Sequence, residues 1–314
     1  MKKIFFTLLL AGLSALAFGQ TLPKVHYTPQ DIELFDRYIE KFKGQKDLSM
    51  GELIARTGEY FVGTPYVNFT LEECEPEALI VNLRGLDCVT FVETTIALAQ
   101  TVKSDSMTFS YYCDRLRELR YRGGNLIDFT SRLHYFSDWI WDKTISGRAV
   151  DITPLLGGDP YPIEVNMMTR VSKNYRQLVN NPEFIPVITR FEKAMSSHKM
   201  YSIPREKADS LQPWLENGYV IGSTTSGMMD ITHCGFIYKE NGKAHFMHAS
   251  SNAKQVVITD STLQDYLQSV KTMTGFMVVQ IPDGTTVTAQ SAEASSSSVS
   301  SLSDSLSLGT AETD

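Results

Sequence analysis

The spacing of apolar residues changes along the chain, from helical periods in the first two thirds to alternation in the last third. Apolar spacing and capping residues predict helices over about 28–43, 49–61, 108–121, 131–146 and 165–198, the last interrupted at Pro182 and Pro186. Alternating β-branched and aromatic residues predict strands over 219–224, 232–238, 244–250, 255–259 and 275–281, with a helix over 263–270 between the last two. The sequence therefore predicts an α+β fold in which helices come first and a sheet follows.

Two of the predicted strands, 232–238 and 244–250, are joined by a short loop that contains Asn241-Gly242. Asn-Gly is a strong signal for a tight β-hairpin. His233 lies in the first strand and His248 in the second. Because side chains alternate along a strand, Gly235 shares a face with His233 and leaves room beside its imidazole for another group.

A further helix is predicted to begin at Cys88, since Asp87 before it is a good N-cap. Apolar residues follow at helical spacing, namely Val89, Val92, Ile96 and Ala99. The N–H groups of a first helical turn stabilise a thiolate and can lower a cysteine pKa from about 8.5 to roughly 3.5–7.5. Such a cysteine alone is more often a small buried hydrophobe. With a histidine as base and a second polar group to orient it, the cysteine is typical of cysteine hydrolases, so Cys88, His233 and His248 are the candidate catalytic residues.

A zinc site is the alternative use of these residues, with His245 as a further ligand. In a strand, however, the odd spacing between His245 and His248 sends their side chains to opposite faces. We therefore expect no metal and no cofactor.

The chain has four cysteines, Cys74, Cys88, Cys113 and Cys234, which allow three complete disulfide pairings. A nucleophilic Cys88 must stay unpaired. Cys234 alternates away from His233 and is expected to pack into the core. Cys74 and Cys113 either pair with each other or remain thiols.

Both ends of the chain differ in composition from the middle. Residues 1–19 contain two lysines, an apolar run and a small-residue end, the pattern of a secretory signal peptide cleaved near Gly19. Residues 285–314 are rich in Ser, Ala and Thr and are expected to form a disordered tail. We therefore expect an exported protein, periplasmic or secreted, with one folded domain over residues 20–284.

The charge distribution limits the possible partners. The formal net charge is −7, and no basic cluster suggests nucleic-acid binding. Beyond the signal peptide, no apolar stretch is long enough to span a membrane. We expect the mature protein to be a monomer.

Four short motifs resemble the NlpC/P60 cysteine peptidases, which act on bacterial cell-wall peptides. In order, they are Gly63-Thr64-Pro65-Tyr66, Asp87-Cys88, His233-Cys234-Gly235-Phe236-Ile237-Tyr238 and His248-Ala249. The run around Cys88 is similar to the divergent branch DUF1460, whose members are regarded as N-acetylmuramoyl-L-alanine amidases. The chain departs from the usual pattern in having Val89-Thr90 where Ser-Gly commonly follows the cysteine. It also places His233 much farther from Cys88 than that family's compact core requires.

The resemblance implies a papain-like core, with Cys88 as nucleophile, His233 as general base and acid, and His248 as the group that orients His233. Tyr66, Asp87 and Thr90 would contact the substrate, a muropeptide or another peptidoglycan fragment. The segment of about 105–215 between nucleophile and base would be a helical insertion. Aromatic residues of this insertion either wall the cleft or form helix core, namely Tyr111, Tyr112, Tyr121, Tyr135, Trp139 and Trp141.

Three functions remain open from the sequence. The first is an amidase that cleaves between the lactyl group of N-acetylmuramic acid and L-alanine. The second is an endopeptidase that cuts after D-glutamate in the stem peptide. The third is a catalytically silent module that binds cell-wall peptides.

Overall fold

A computed structural model describes residues 25–225 and 230–284. The predicted signal peptide and the predicted Ser-rich tail lie outside the described residues. Within the described part, no helix is both long and apolar enough to cross a membrane.

The described residues form a mixed α+β fold. Its helices are α1 (Pro29–Phe42), α2 (Met50–Tyr60), α3 (Cys88–Lys103), α4 (Phe109–Arg120), α5 (Phe136–Ile145), α6 (Met167–Arg170), α7 (Arg176–Asn180), α8 (Phe184–Ser196) and α9 (Leu263–Ser269). Its strands are β1 (Val25–His26), β2 (Leu79–Ile80), β3 (Val150–Asp151), β4 (Asp159–Pro160), β5 (Tyr201–Pro204), β6 (Val220–Thr225), β7 (Ile231–Glu240), β8 (Lys243–Ser250), β9 (Gln255–Thr262) and β10 (Met273–Gln280).

The main sheet is antiparallel, with strand order β4-β5-β10-β6-β7-β8-β9 and with β3 paired to β10. The predicted hairpin of β7 and β8 is confirmed: Glu240 pairs with Lys243 across the turn. Asn241 and Gly242 both have positive φ, 51° and 77°, as a two-residue hairpin turn of type I′ requires. This turn fixes the register that brings the two histidine-bearing strands together.

Helix α3 is buried on almost every side between the sheet and its helical neighbours. Phe91 on α3 packs edge-on against Phe236 on β7, with ring centroids 5.5 Å apart. A buried ion pair joins α3 to α4, since Arg120 Nε lies 2.7 Å from Glu93 Oε2 with both side chains at most 3% exposed. Breaking such a pair leaves a buried charge without its partner, so α3 is held firmly in place. Helix α9 covers the other face of the sheet.

The predicted insertion between Cys88 and His233 is only partly helical. It contains α4 to α8, but it also supplies β3, β4 and β5, which extend the main sheet beyond β10. These strands are two to four residues long, too short for alternation to reveal them. Pro186 does not interrupt the last long helix as predicted: it lies in the first turn of α8, where no N–H donates within the helix.

Candidate active site

The predicted start of the cysteine helix is confirmed: α3 begins at Cys88 with Asp87 as N-cap. The Asp87 carboxylate accepts the Thr90 N–H at 2.8 Å, and the Asp87 N–H donates to the Thr90 hydroxyl at 2.9 Å. This capping box leaves the N–H groups of Cys88 and Val89 as first-turn donors without an acceptor in the helix. They can therefore bind an oxyanion that forms beside the cysteine.

The loop before Cys88 is held by a buried carboxylate of α1. Asp31, fully buried, accepts the Leu83 N–H at 2.9 Å and the Arg84 Nε–H at 3.2 Å. Asp31 also takes part in the capping box of its own helix with Thr28. One residue thus caps α1 and fixes the segment that leads into the cysteine helix.

Tyr66 lies in a loop pinned between that segment and β9. Its N–H donates to the Lys254 carbonyl at 2.9 Å, and Leu86 N–H donates to the Pro65 carbonyl at 3.0 Å. Burial and the negative charge of Cys88 raise the pKa of Tyr66 to about 12. Tyr66 therefore keeps its proton at neutral pH and presents an O–H donor near the Cys88 sulfur.

The two strand histidines contact each other directly. His233 Nε2 lies 2.6 Å from His248 Nδ1, and the two rings are nearly perpendicular. Gly235 makes this possible, because a Cβ there would approach the His248 Cβ to 2.9 Å and the Phe246 ring to 2.9 Å. The space that the sequence predicted beside His233 is occupied by His248.

His248 is buried, 3% exposed, and stacks on the Phe246 ring. Burial and the neighbouring His233 lower the pKa of His248 to about 3. At neutral pH His248 is therefore uncharged and can accept a hydrogen bond from His233 Nε2–H through Nδ1. This bond leaves His233 Nδ1 as the ring nitrogen available to Cys88.

Cys88 is partly exposed, and His233 and Cys234 of β7 interact with its thiol. Hydrogen bonds from the Cys234 thiol and from His233 hold the pKa of Cys88 well below its usual range, against the opposing effect of burial. The start of α3 acts in the same direction. The arrangement favours a thiolate at neutral pH, and a thiolate is the nucleophilic form of cysteine.

Two residues at this site have roles that the sequence did not predict. Cys234 is buried in the core as expected, but its thiol also contacts Cys88. Tyr266 on α9 lies with its ring centroid 5.0 Å from that of His248, and burial together with the Cys88 charge raises its pKa to about 12. Its position between Leu263 and Leu267 looked like ordinary helix packing, so no sequence signal marked Tyr266.

Other predicted residues lie apart from the cysteine. Thr90 is 2% exposed and its hydroxyl is hydrogen-bonded to Asp87, so Thr90 stabilises the start of α3. His245 Nδ1 lies 2.9 Å from the Thr259 carbonyl, away from His248 as the strand spacing predicted. Across the described ranges, no group of three His, Cys, Asp or Glu residues is arranged to hold a metal ion.

The aromatic residues of the insertion mostly form core. Four of them are at most 5% exposed, namely Tyr112, Tyr121, Tyr135 and Trp139. Tyr111 packs against Arg115, and Trp141 stacks on His198 with ring centroids 3.7 Å apart. The sequence left open whether these aromatic residues wall the cleft or form helix core. The four buried side chains fit helix core.

Comparison with known proteins places the chain in a family. The model of the AmiA-like, N-acetylmuramoyl-L-alanine amidase-like family matches residues 56–274, and the chain belongs to this family. A comparison with curated protein sequences gave no match.

Solved structures also resemble this chain. An N-acetylmuramoyl-L-alanine amidase from Bacteroides uniformis is 32% identical, with 74% of this chain and 99% of that chain covered and a TM-score of 0.71. A Bacteroides fragilis protein named "putative xylanase" is 34% identical over 72% of this chain and 99% of that one, with a TM-score of 0.68. A Legionella pneumophila protein of family DUF1460 is 20% identical over 80% of this chain and 95% of that one, with a TM-score of 0.62, and shares the fold.

The contact between the two histidines leads to a first prediction. His248→Ala should lower turnover by about ten- to a thousandfold, because His233 loses the acceptor that holds its reactive tautomer. His248→Asn should retain more activity, since an amide oxygen can accept the same bond. His245→Ala is the matched control and should stay near wild type. If His245→Ala were the impaired variant, the assignment of His248 as the orienting group would be wrong.

The buried neutral state of His248 leads to a second prediction, on stability. An unfolded histidine has a pKa of about 6.5, so below that pH the unfolded chain binds a proton that folded His248, with a pKa of about 3, does not. The free energy of unfolding should fall as pH falls below about 6.5, by up to about 1.4 kcal/mol per pH unit from this residue. Half-buried His134, whose pKa is also lowered to about 3 by desolvation, acts in the same direction. Asp87, with a pKa raised to about 6 by burial and Cys88, opposes them.

Urea unfolding at pH 7 and pH 5 measures this effect. The loss of stability between the two values should be smaller in His248→Asn than in the wild-type protein, and unchanged in His245→Asn. Equal losses in all three proteins would mean that His248 is not held neutral in the folded state.

Proposed function

We propose that this protein is a cysteine-dependent N-acetylmuramoyl-L-alanine amidase that releases the stem peptide from peptidoglycan fragments. Membership of the amidase-like family supports the substrate class. The observation that carries the mechanism is the chain of contacts from Cys88 at the start of α3 through His233 to neutral His248. We place the fold with the papain-like NlpC/P60 core, because it packs a cysteine helix on an antiparallel sheet that carries the base.

In the first half of the reaction, the Cys88 thiolate attacks the lactyl carbonyl carbon. The oxyanion that forms accepts hydrogen bonds from the N–H groups of Cys88 and Val89, and the Tyr66 hydroxyl is a further donor. His233 gives its Nδ1 proton to the L-alanine nitrogen as the C–N bond breaks. The peptide leaves with a free amine, and the sugar part stays on Cys88 as a thioester.

In the second half, a water molecule completes the reaction. His233, which has given up its Nδ1 proton, now acts as a base and takes a proton from the water. The oxygen of that water attacks the thioester carbonyl. The Cys88 thiolate leaves and is stabilised as before. His233 Nε2–H keeps its bond to His248 Nδ1 throughout, so His233 Nδ1 is the nitrogen that transfers the proton in both halves of the reaction.

Substrate contacts follow from the position of the remaining polar groups. Tyr66, in the loop after α2, and Tyr266, on α9, are protonated phenols that both interact with the charge of Cys88. Asp87, capped onto Thr90, is a secondary candidate for contact with a substrate amine. A glycosidase, as the name of the Bacteroides fragilis protein suggests, needs two carboxylates beside the scissile bond. The carboxylate next to Cys88, that of Asp87, is bound in the capping box of α3, and the other groups near Cys88 are thiols, imidazoles and phenols.

The predicted signal peptide supports an exported enzyme, periplasmic or secreted, which places it in the compartment of its substrate. We expect the mature enzyme to act as a monomer.

Mass spectrometry of the products from a defined disaccharide-tetrapeptide tests this function. We expect two products, a disaccharide with a free lactyl carboxylate and a tetrapeptide with a free L-alanine amine. A disaccharide-dipeptide product would indicate the D-glutamyl endopeptidase instead. Unchanged substrate that stays bound to the protein would indicate a binding module.

A further inference from the structure

Three aromatic rings contact the imidazole of His248. His233 meets it edge-on, with ring centroids 4.7 Å apart. Phe246, two residues earlier on β8, lies nearly parallel to it, with centroids 4.7 Å apart and an angle of 16° between the planes. Tyr266 on α9 lies 5.0 Å from the His248 ring and 4.9 Å from Phe246, so these three centroids form a nearly equilateral triangle. Tyr266 therefore packs beside the stack of His248 and Phe246 and touches both rings.

Helix α9 is packed well enough to hold Tyr266 in this place. The helix follows β9 directly in the chain. Leu263 and Leu267, both at most 1% exposed, pack into the same apolar cluster as Phe246. Tyr266 is half-buried against that cluster, so its ring has a fixed position beside His248.

The plane of the His248 ring decides whether it can accept a hydrogen bond from His233. The Nδ1 lone pair lies in that plane, and the bond of 2.6 Å between His248 Nδ1 and His233 Nε2 weakens steeply when donor and acceptor are misaligned. The torsion that sets the plane is broad for histidine, so the side chain's own preference does not fix it. Neighbouring rings therefore have to fix it. The parallel Phe246 ring limits rotation of the imidazole, and Tyr266 keeps the two stacked rings from moving apart.

We propose that Tyr266 is a positioning residue, whose ring holds the stack of His248 and Phe246 in the plane that aligns His248 Nδ1 with His233 Nε2–H. This inference rests on the proposed function, in which His233 is the general base and acid. Tyr266 acts through His248 on His233, and the part that acts is its ring. Its hydroxyl, a candidate for contact with the substrate, should affect KM and not kcat.

Two substitutions separate the ring of Tyr266 from its hydroxyl. Tyr266→Phe keeps the ring, whereas Tyr266→Leu keeps apolar volume without a ring. Tyr219→Leu is the matched control, because Tyr219 is half-buried against the same apolar cluster. In the described part of the chain, Tyr219 lies outside the ring contacts of His233 and His248. Tyr266→Met serves if Tyr266→Leu does not fold.

NMR of the mature protein labelled with ¹⁵N-histidine examines the hydrogen bond directly and without substrate. At about pH 8, well above the ordinary pKa of histidine, the nitrogen shifts of His248 report its tautomer. In the wild-type protein, Tyr266→Phe and Tyr219→Leu, we expect a single tautomer of His248, with the proton on Nε2 and with Nδ1 as acceptor. In Tyr266→Leu, we expect shifts averaged between the two tautomers, because His248 no longer keeps its bond to His233.

Steady-state hydrolysis of a muropeptide gives the second measurement. We expect kcat to fall by about tenfold in Tyr266→Leu, with a smaller change in KM, because His233 is held less often in its reactive arrangement. In Tyr266→Phe and Tyr219→Leu, kcat should stay within about threefold of the wild-type value.

A single His248 tautomer in Tyr266→Leu would overturn the inference, whatever the activity of that variant. A kcat as low in Tyr266→Phe as in Tyr266→Leu would overturn it too, because the hydroxyl would then be the part that acts. Averaged shifts in Tyr219→Leu would show that loss of packing anywhere in the cluster has the same effect. A wild-type protein that gives the expected NMR result but does not hydrolyse muropeptides would refute the proposed function and leave the role of Tyr266 standing.

Discussion

Cys88→Ala and Cys88→Ser are each expected to lower turnover by at least about a thousandfold, the largest effect that a single substitution should have in this protein. The thiolate makes the covalent bond to the substrate, and neither a methyl group nor a weakly acidic hydroxyl replaces it. The thermal unfolding temperature should change little, because Cys88 is partly exposed at the first position of α3 and Asp87 still caps the helix. Steady-state hydrolysis of a purified muropeptide measures the loss.

A cysteine far from the site gives the control for this result. Cys113→Ala removes a buried thiol from α4 and should cost stability but leave turnover near wild type. Turnover near wild type in Cys88→Ala would end the cysteine mechanism. Equal losses in both variants would show that the effect is one of folding.

The second large effect is expected for His233→Ala, which should also lower turnover by about a thousandfold or more. The variant loses the proton donor for the leaving amine and the base for the attacking water. It also loses one of the hydrogen bonds that lower the Cys88 pKa, although the bond from Cys234 remains. The pH at which Cys88 becomes reactive should therefore rise.

Alkylation by iodoacetamide measures that shift without any substrate. The midpoint of its rate against pH should lie higher in His233→Ala than in the wild-type protein, and it should be unchanged in the control His245→Ala. An unaltered midpoint in His233→Ala would mean that His233 does not act on the Cys88 thiolate.

Local rules were sufficient to predict much of the fold. The helix starts at Thr28 and Asp87 and the Asn241-Gly242 turn are decided within four residues of chain, and the structure has each of them where the sequence indicated. The short strands β3 to β5 could not be predicted, because their pairing with β10 and with each other depends on residues far away in sequence. The long-range contacts of Asp31 could not be predicted for the same reason. Its position at the start of α1 predicts a capping role, but not the hydrogen bond from the Leu83 N–H.

The candidate site likewise contains some residues that local sequence patterns predicted and others that only tertiary packing brings to it. The sequence indicated Cys88, His233 and His248 because helix starts and strand alternation are local, and Gly235 indicated the space between the rings. Tyr266 reaches the site only through the packing of α9 on the sheet. The sequence did not predict the interaction of Cys234 with Cys88. Strand alternation predicts the face of the sheet on which a side chain lies, but not which helix end packs against that face.

Trapping the covalent intermediate tests the central claim most directly. The mature protein is mixed with a disaccharide-tetrapeptide, quenched in acid within milliseconds to seconds, and examined by intact-protein and peptide mass spectrometry. The account predicts an adduct on Cys88 with the mass of the disaccharide lactyl group alone, and none in Cys88→Ala. An adduct that retains L-alanine and D-glutamate would place the cut elsewhere, and turnover without any adduct on Cys88 would contradict the mechanism.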